Sequence, residues 1–145
     1  MTTEADIKRS IVKSMHDGGG YARRIEDQFA VGMCDMLLIP KGLPVFAAEI
    51  KRVRDNVFGP TPRQLIELKR LEDVADNAGH IIPVMIGWHE GVYYFHKPKV
   101  KINRAECFSI TTSDMPFYKQ LALYYYSQRS LNEQSQNQGR SARSV

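Results

Sequence analysis

The stretch Asp35–Lys51 has the sequence DMLLIPKGLPVFAAEIK, in which two apolar runs flank the turn Lys41-Gly42-Leu43. Two such runs joined by a short segment rich in Gly and Pro predict a β-hairpin. Asp35 and Glu49 each lie seven residues from Gly42, the centre of the turn. Residues equally distant from the centre of a hairpin pair with each other. We therefore expect the two carboxylates to face each other across neighbouring strands.

Two carboxylates in this position need a cation. Opposed residues on neighbouring strands have Cβ atoms roughly 4.5–5.5 Å apart, and like charges there destabilise a sheet. The other hairpin residues are apolar on both faces, so the pair lies in a largely buried sheet where unpaired charge is costly. Strand alternation places Lys51 on the same face as Glu49 and supplies one positive charge. A divalent cation would supply the rest, and Mg²⁺ fits best because it combines carboxylate ligands with water and substrate phosphate.

Length and composition predict one domain followed by a tail. The chain has 145 residues, of which 43% are hydrophobic, enough for one ordinary core. We assign residues 1–127 to this domain. Residues 128–145 are rich in Ser, Gln, Asn, Gly and Arg, and we expect a disordered basic tail. The net charge is +4, and basic residues concentrate between Lys51 and Arg70, which favours nucleic acid as partner, although scattered Lys and Arg are also ordinary surface residues.

The sequence offers no sign of a membrane, disulfide or zinc site. Neither Cys34 nor Cys107 belongs to a CxxC pair, and no apolar run approaches the roughly 20 residues that span a bilayer. The first residues lack the basic and then apolar pattern of a secretory signal, and the four histidines have no paired spacing. We expect a cytoplasmic protein with no membrane partner; if it is phage-encoded, it would act in the host cytoplasm.

Helix caps and apolar periodicity predict the remaining elements. Thr3 caps the first helix, Thr61 and Gln64 form a capping box that begins the second, and Gly18 and Gly79 end them. The result is an α/β fold of order αβββαββ, whose first strands form a meander. The predicted elements are a helix at 4–15, a strand at 21–25, a polar loop at 26–28, the hairpin, a mobile loop at 52–60, a helix at 61–78, strands at 81–88 and 92–95, and a helix that includes Phe117, Leu121 and Tyr124.

These residues resemble a known nuclease superfamily. The segments that carry the likeness are Glu4 in a first helix, Gly32-Met33-Cys34-Asp35, Ala48-Glu49-Ile50-Lys51, and Gln64 at the start of the next helix. In this order they resemble the PD-(D/E)XK superfamily and, within it, stand-alone VRR-NUC (virus-type replication-repair nuclease) proteins. The likeness covers roughly residues 2–95. It implies a restriction-endonuclease-like αβββαβ core with a mixed sheet flanked by helices.

One position departs from the family pattern. The family has Pro before its Asp, and this chain has Cys34. Strand alternation predicts that Cys34 faces away from Asp35. We therefore expect the departure to change backbone stiffness more than chemistry.

The resemblance also implies roles for the site residues. Asp35 and Glu49 would hold Mg²⁺ or Mn²⁺, with the Ile50 carbonyl as a further ligand, and the metal would activate a water for attack on a phosphodiester. Lys51 would orient that water or stabilise the phosphate. Two interpretations remain for the other candidates. Glu4 either completes the acidic cluster or only stabilises the helix dipole, and Gln64 either helps to hold the attacking water or only makes the capping bond.

The function implied by the resemblance is a metal-dependent DNA endonuclease that is selective for branched DNA such as Holliday junctions or flaps. A homodimer is expected because one small domain cannot readily cut two strands at symmetric positions. Two alternatives stand beside it. One is a catalytically inactive nucleic-acid-binding module on the same fold, and the other is an RNA-directed nuclease. Opposed carboxylates would repel phosphates, which argues against a module that only binds.

Overall fold

The computed structural model describes residues 2–25, 34–75, 80–112 and 114–143. Several positions of the sequence analysis lie outside these ranges: the polar loop at 26–28, Gly32 and Met33, and the end of the second helix at 76–79. The elements are α1 (Glu4–Asp17), β1 (Tyr21–Arg24), β2 (Met36–Ile39), β3 (Val45–Arg52), β4 (Val57–Phe58), α2 (Pro62–Ala75), β5 (Ile81–His89), β6 (Val92–His96), β7 (Ile102–Asn103), a 3-10 turn (Arg104–Glu106), β8 (Phe108–Ser109) and α3 (Phe117–Arg143).

Six strands form one mixed sheet in the order β1-β2-β3-β5-β6-β8, and β4 pairs with β7 in a separate two-stranded sheet. β3 and β5 are parallel and are connected through α2, whereas the other pairs of the large sheet are antiparallel. Parallel neighbours place their carboxyl ends at the same edge of a sheet. The ends of β3 and β5 are therefore adjacent.

The β2–β3 hairpin has the predicted centre and register. Leu37 pairs with Ala47, and Met36 pairs with Ala48, which are the partners that a turn centred on Gly42 requires. Gly42 has φ +75°, and the Leu43 N–H donates to the Pro40 carbonyl at 3.1 Å. A glycine with positive φ at the third position of a four-residue turn is typical of a type II turn.

The sheet separates two apolar clusters. The cluster on one face joins α1 and α3 to the sheet through Ile7, Ile11, Met15, Phe117, Leu121 and Tyr124. The cluster on the other face packs Leu68 of α2 against Ala47 and Met85. Strand alternation assigns even-numbered β3 residues such as Ile50 to the first face and odd-numbered ones to the second. Glu49 and Lys51 thus belong to the face that α2 covers.

Two segments differ from the sequence predictions. The expected loop at 52–60 contains β4, and Val53 and Phe58 are buried, because two apolar side chains anchor a segment whose other residues are polar. Helix α3 continues through Arg143, so the backbone of 128–143 is helical, which corrects the prediction of disorder. The low apolar content of this segment predicts that it does not pack against the domain, but packing is not needed for helix formation. Gln, Arg and Ala have good intrinsic helix propensity, and the segment contains no Pro. Within the described ranges, no helix is both long and apolar enough to cross a bilayer.

Candidate active site

Glu49 is the buried centre of the candidate site. It lies near the end of β3, where the residue is only 1% exposed. Lys51 Nζ lies 3.7 Å from Glu49 Oε1, on the same strand face as predicted. Glu49 Oε2 is buried. Among the described residues, no N–H or O–H group donates to this oxygen.

Asp35 is held beside Glu49 by backbone and side-chain contacts. Its N–H donates to the Ala48 carbonyl at 3.0 Å, and its Oδ2 accepts from the Ile50 N–H at 2.9 Å. The paired register ends at Met36 and Ala48, and these two bonds hold Asp35 against β3 just before β2 begins. The carboxyl groups of Asp35 and Glu49 consequently lie within hydrogen-bonding reach of each other.

The proximity of the two acids changes the proton affinity of Glu49. Burial, followed by the hydrogen bond to Asp35 and its negative charge, raises the pKa of Glu49 to about 8, although Lys51 and Lys8 act in the opposite direction. A proton on Glu49 removes one of the two negative charges and therefore reduces the repulsion between the carboxyl groups. A bound cation would have the same effect on the ionised pair. The folded protein is therefore more stable with a proton or a cation between the two carboxyl groups than with both groups ionised and no cation bound.

Gln64 makes the predicted capping bonds and also contacts Glu49. Its Oε1 accepts from the Thr61 N–H at 2.9 Å, and its N–H donates to Thr61 Oγ1 at 3.2 Å, which together form the predicted capping box. Its Nε2 donates to Glu49 Oε1 at 2.8 Å. Because the cap uses the amide oxygen, the amide nitrogen remains for the carboxylate. One side chain therefore begins α2 and fixes the orientation of Glu49.

Lys8 belongs to the site, although the sequence analysis did not identify it. Its Nζ lies 3.5 Å from Asp35 Oδ1, and the residue is only 7% exposed. The signal that could have revealed Lys8 is its position between Glu4 and Ile11 on one face of α1, since residues at i, i+4 and i+7 are aligned. A lysine beside the buried stripe of a helix needs an acidic partner, and Asp35 is that partner.

Glu4 contacts the end of β3 rather than the acidic pair. Its Oε1 accepts from the Arg52 N–H at 3.2 Å, and the residue is exposed. No group of three His, Cys, Asp or Glu residues able to hold a metal occurs within the described part of the chain. The structure therefore brings together Asp35, Glu49, Lys51 and Gln64 and leaves Glu4 at the rim. Glu4 also lies in the first turn of α1, where a negative charge interacts favourably with the helix dipole, which was the simpler of its two interpretations.

Cys34 lies on the side of the acidic pair, contrary to the sequence prediction. It packs in the cluster beneath α2, close to Ala47 and Leu37. Burial, followed by the charges of Glu49 and Asp35, raises the pKa of its thiol to about 11. The prediction was wrong because β2 begins only at Met36, so strand alternation does not extend back to Cys34. With this pKa the thiol is neutral at physiological pH.

The residues of this site fit a divalent cation. Two carboxylates meet, one buried oxygen accepts from none of the described residues, and the Ile50 N–H donates to Asp35. Mg²⁺ needs only one or two carboxylates from the protein and completes its coordination with water and phosphate. A pair rather than a triad of acids is therefore sufficient. Lys8 and Lys51 supply part of the positive charge when no cation is bound.

Comparison with known proteins supports the fold. No protein-family model and no curated protein match the chain. The chain is similar to the solved structure of Hjc, a Holliday junction resolvase from the archaeal hyperthermophile Archaeoglobus fulgidus. The TM-score is 0.53 at 14% sequence identity, over 70% of this chain and 88% of that chain. The predicted restriction-endonuclease-like fold, a mixed sheet flanked by helices, is confirmed. Assignment to VRR-NUC proteins stays a prediction.

Proposed function

We propose that this protein is a divalent-metal-dependent endonuclease that hydrolyses phosphodiester bonds of DNA. The observation that carries the proposal is the pair Asp35 and Glu49 next to Lys51, in which the buried Glu49 Oε2 has no donor in the described part of the chain. The fold shared with a Holliday junction resolvase supports the same activity. We further propose that the substrate is branched DNA and that the active form is a homodimer resembling stand-alone VRR-NUC proteins.

Asp35 and Glu49 would hold Mg²⁺ or Mn²⁺, with the Ile50 carbonyl as an additional ligand. The bound metal would activate a water and offset negative charge on the phosphate oxygens. Gln64 keeps the Glu49 carboxylate in one orientation through the 2.8 Å bond to Oε1, which leaves Oε2 directed away from that donor. A fixed ligand orientation reduces the reorganisation needed at the moment of reaction.

Lys51 and Lys8 have different tasks in this proposal. Lys51 is partly exposed and lies on the Glu49 face, so it can donate to a phosphate oxygen or to the attacking water. Lys8 is buried against Asp35 and has little access to substrate. Its positive charge instead stabilises the ionised acidic pair before a cation binds. Lys51 is thus the proposed catalytic lysine, and Lys8 is a positioning residue.

The test is cleavage of labelled linear, flap and four-way DNA with Mg²⁺, with Mn²⁺ and with EDTA. We expect cleavage only with metal, and we expect Asp35→Asn and Glu49→Gln each to reduce the rate by at least about 100-fold. DNA binding should remain or strengthen, because each change removes a charge that repels phosphate. Asp17→Asn, at the exposed end of α1, is the matched control and should cut normally.

Cleavage by the wild-type protein in EDTA, or normal rates in either acidic variant, would contradict the proposal. Metal-independent binding without cleavage of any DNA would favour the inactive binding module instead. A matching RNA panel addresses the third possibility, since preferential cleavage of RNA would show that the substrate class was wrong. The preference for branched DNA is tested separately by the ratio of four-way or flap cleavage to linear cleavage.

A further inference from the structure

A hollow of about 350 Å³ lies where the carboxyl ends of β3 and β5 meet. Arg52 and Trp88 are partners in the parallel register of these strands, and both line the hollow together with Arg54 and His89. Ligand sites in proteins have volumes of about 300–1,000 Å³. The hollow is therefore large enough for one small ligand and too small for a duplex.

The side chains around the hollow favour an anion. Arg52 and Arg54 have no carboxylate within ion-pair distance in the described part of the chain. His89 is held by a 2.8 Å contact between its Nδ1 and the Val53 carbonyl. Glu90 also lines the hollow, but its side chain is 85% exposed, so water screens its charge. Guanidinium groups bind phosphate well, and these two have no acidic partner among the described residues.

Trp88 adds an aromatic surface. It is the only tryptophan of the sequence, it is partly exposed, and it lines the same hollow as the two arginines. Aromatic side chains stack on nucleic-acid bases, at about 1–3 kcal/mol per base. An indole beside two guanidinium groups therefore matches the two parts of a nucleotide, its base and its phosphate.

The hollow lies beside the candidate active site but on the other face of the sheet. Arg52 directly follows Lys51, and strand alternation directs their side chains to opposite faces. A strand with its phosphate at Glu49 would have to turn around the end of β3 to reach Trp88. Bases of an intact duplex are paired and stacked, so they enter a pocket only after unpairing. A single-stranded arm can make this turn without that cost.

We propose that this hollow binds one unpaired nucleotide of the DNA strand that is cut, with the base against Trp88 and the phosphate on Arg52 and Arg54. The inference rests on the proposed nuclease function and narrows its substrate class to DNA with unpaired nucleotides next to the scissile phosphate. A flap or a frayed junction arm has such nucleotides, whereas blunt duplex does not.

Binding is tested first in EDTA, so that it is independent of cleavage. The intact protein is titrated with a short oligothymidylate while the fluorescence of the single tryptophan is recorded. Saturable quenching is expected, also in the Asp35→Asn variant. Fluorescence polarisation of the labelled oligonucleotide should show about tenfold weaker binding for Arg54→Gln and for Trp88→Leu, with affinity largely retained in Trp88→Phe. Glu90→Gln should bind more tightly, and Arg9→Gln, on the exposed side of α1, should bind normally.

The cleavage assay then connects the hollow to substrate choice. A flap with unpaired nucleotides should be cut faster than the corresponding nicked duplex, and Arg54→Gln should reduce this ratio of rates, whereas Arg9→Gln should keep it. Unaltered tryptophan fluorescence during binding, or wild-type affinity in both Arg54→Gln and Trp88→Leu, would overturn the inference. Loss of all cleavage with an intact fluorescence response would overturn the nuclease proposal and leave nucleotide binding supported.

Discussion

Replacement of Glu49 by Gln should remove a large pH-dependent term from the stability of the metal-free protein. The ordinary pKa of this glutamate is 4.5, and burial together with Asp35 raises the pKa to about 8 in the folded protein. The folded state therefore binds the proton more tightly than the unfolded chain does. It follows that the contribution of Glu49 to the free energy of unfolding is greatest at low pH and is lost as the pH rises from about 4.5 to 8.

The pKa difference sets the size of the effect. Between about pH 5.5 and pH 9, linkage gives a loss of about 3 kcal/mol in the wild-type protein through this one group. The Gln variant keeps an oxygen that accepts from Gln64 Nε2 but carries no charge. Its free energy of unfolding, measured by urea titration in EDTA, should therefore exceed that of the wild type by a margin that grows with pH.

Two controls isolate the cause. Glu67→Gln, at an exposed position of α2, should follow the wild-type pH profile. Mg²⁺ should restore the stability of the wild type at high pH and have little effect on Glu49→Gln, because only the ionised pair binds a cation. If the difference between wild type and Glu49→Gln stays constant within about 1 kcal/mol across this range, the acidic pair does not share a proton and the reasoning fails.

Three further predictions test other contacts. Thr61→Ala should lower the free energy of unfolding by about 1 kcal/mol and leave the cleavage rate unchanged. Gln64→Ala should lower the free energy of unfolding by about 2 kcal/mol and also reduce the cleavage rate. Equal cleavage rates for the two variants would show that Gln64 acts only as a helix cap. Lys8→Met should destabilise the protein in EDTA by about 2–4 kcal/mol, and Mg²⁺ should recover more stability in this variant than in the wild type. An equal gain from Mg²⁺ in both proteins would show that Lys8 and Mg²⁺ do not neutralise the same charge on Asp35. Glu90→Asn should raise the free energy of unfolding by about 0.5–1 kcal/mol, because Glu90 has φ +48° and Asn tolerates this conformation; a loss of stability would contradict this.

Some features followed from the sequence because short-range geometry determines them. Gly42 supplies the positive φ of the turn, and the turn sets the partners of each residue in β2 and β3. Alternation along β3 then places Lys51 beside Glu49. The same applies to the capping box of Thr61 and Gln64, whose hydrogen bonds lie within one turn of helix. Cys34 precedes β2, so strand alternation does not apply to it, and the prediction of its direction failed.

Other features depend on which elements pack together. Lys8 meets Asp35 only because α1 lies against the sheet, and Gln64 reaches Glu49 only because α2 crosses between β3 and β5. Arg52 and Trp88 line one hollow because these two strands are parallel neighbours. The sequence by itself determined the acidic pair, since turn geometry and strand alternation act over a few residues. Only the tertiary structure decided which lysine, amide and aromatic ring surround that pair, since burial of apolar faces brings distant segments into contact.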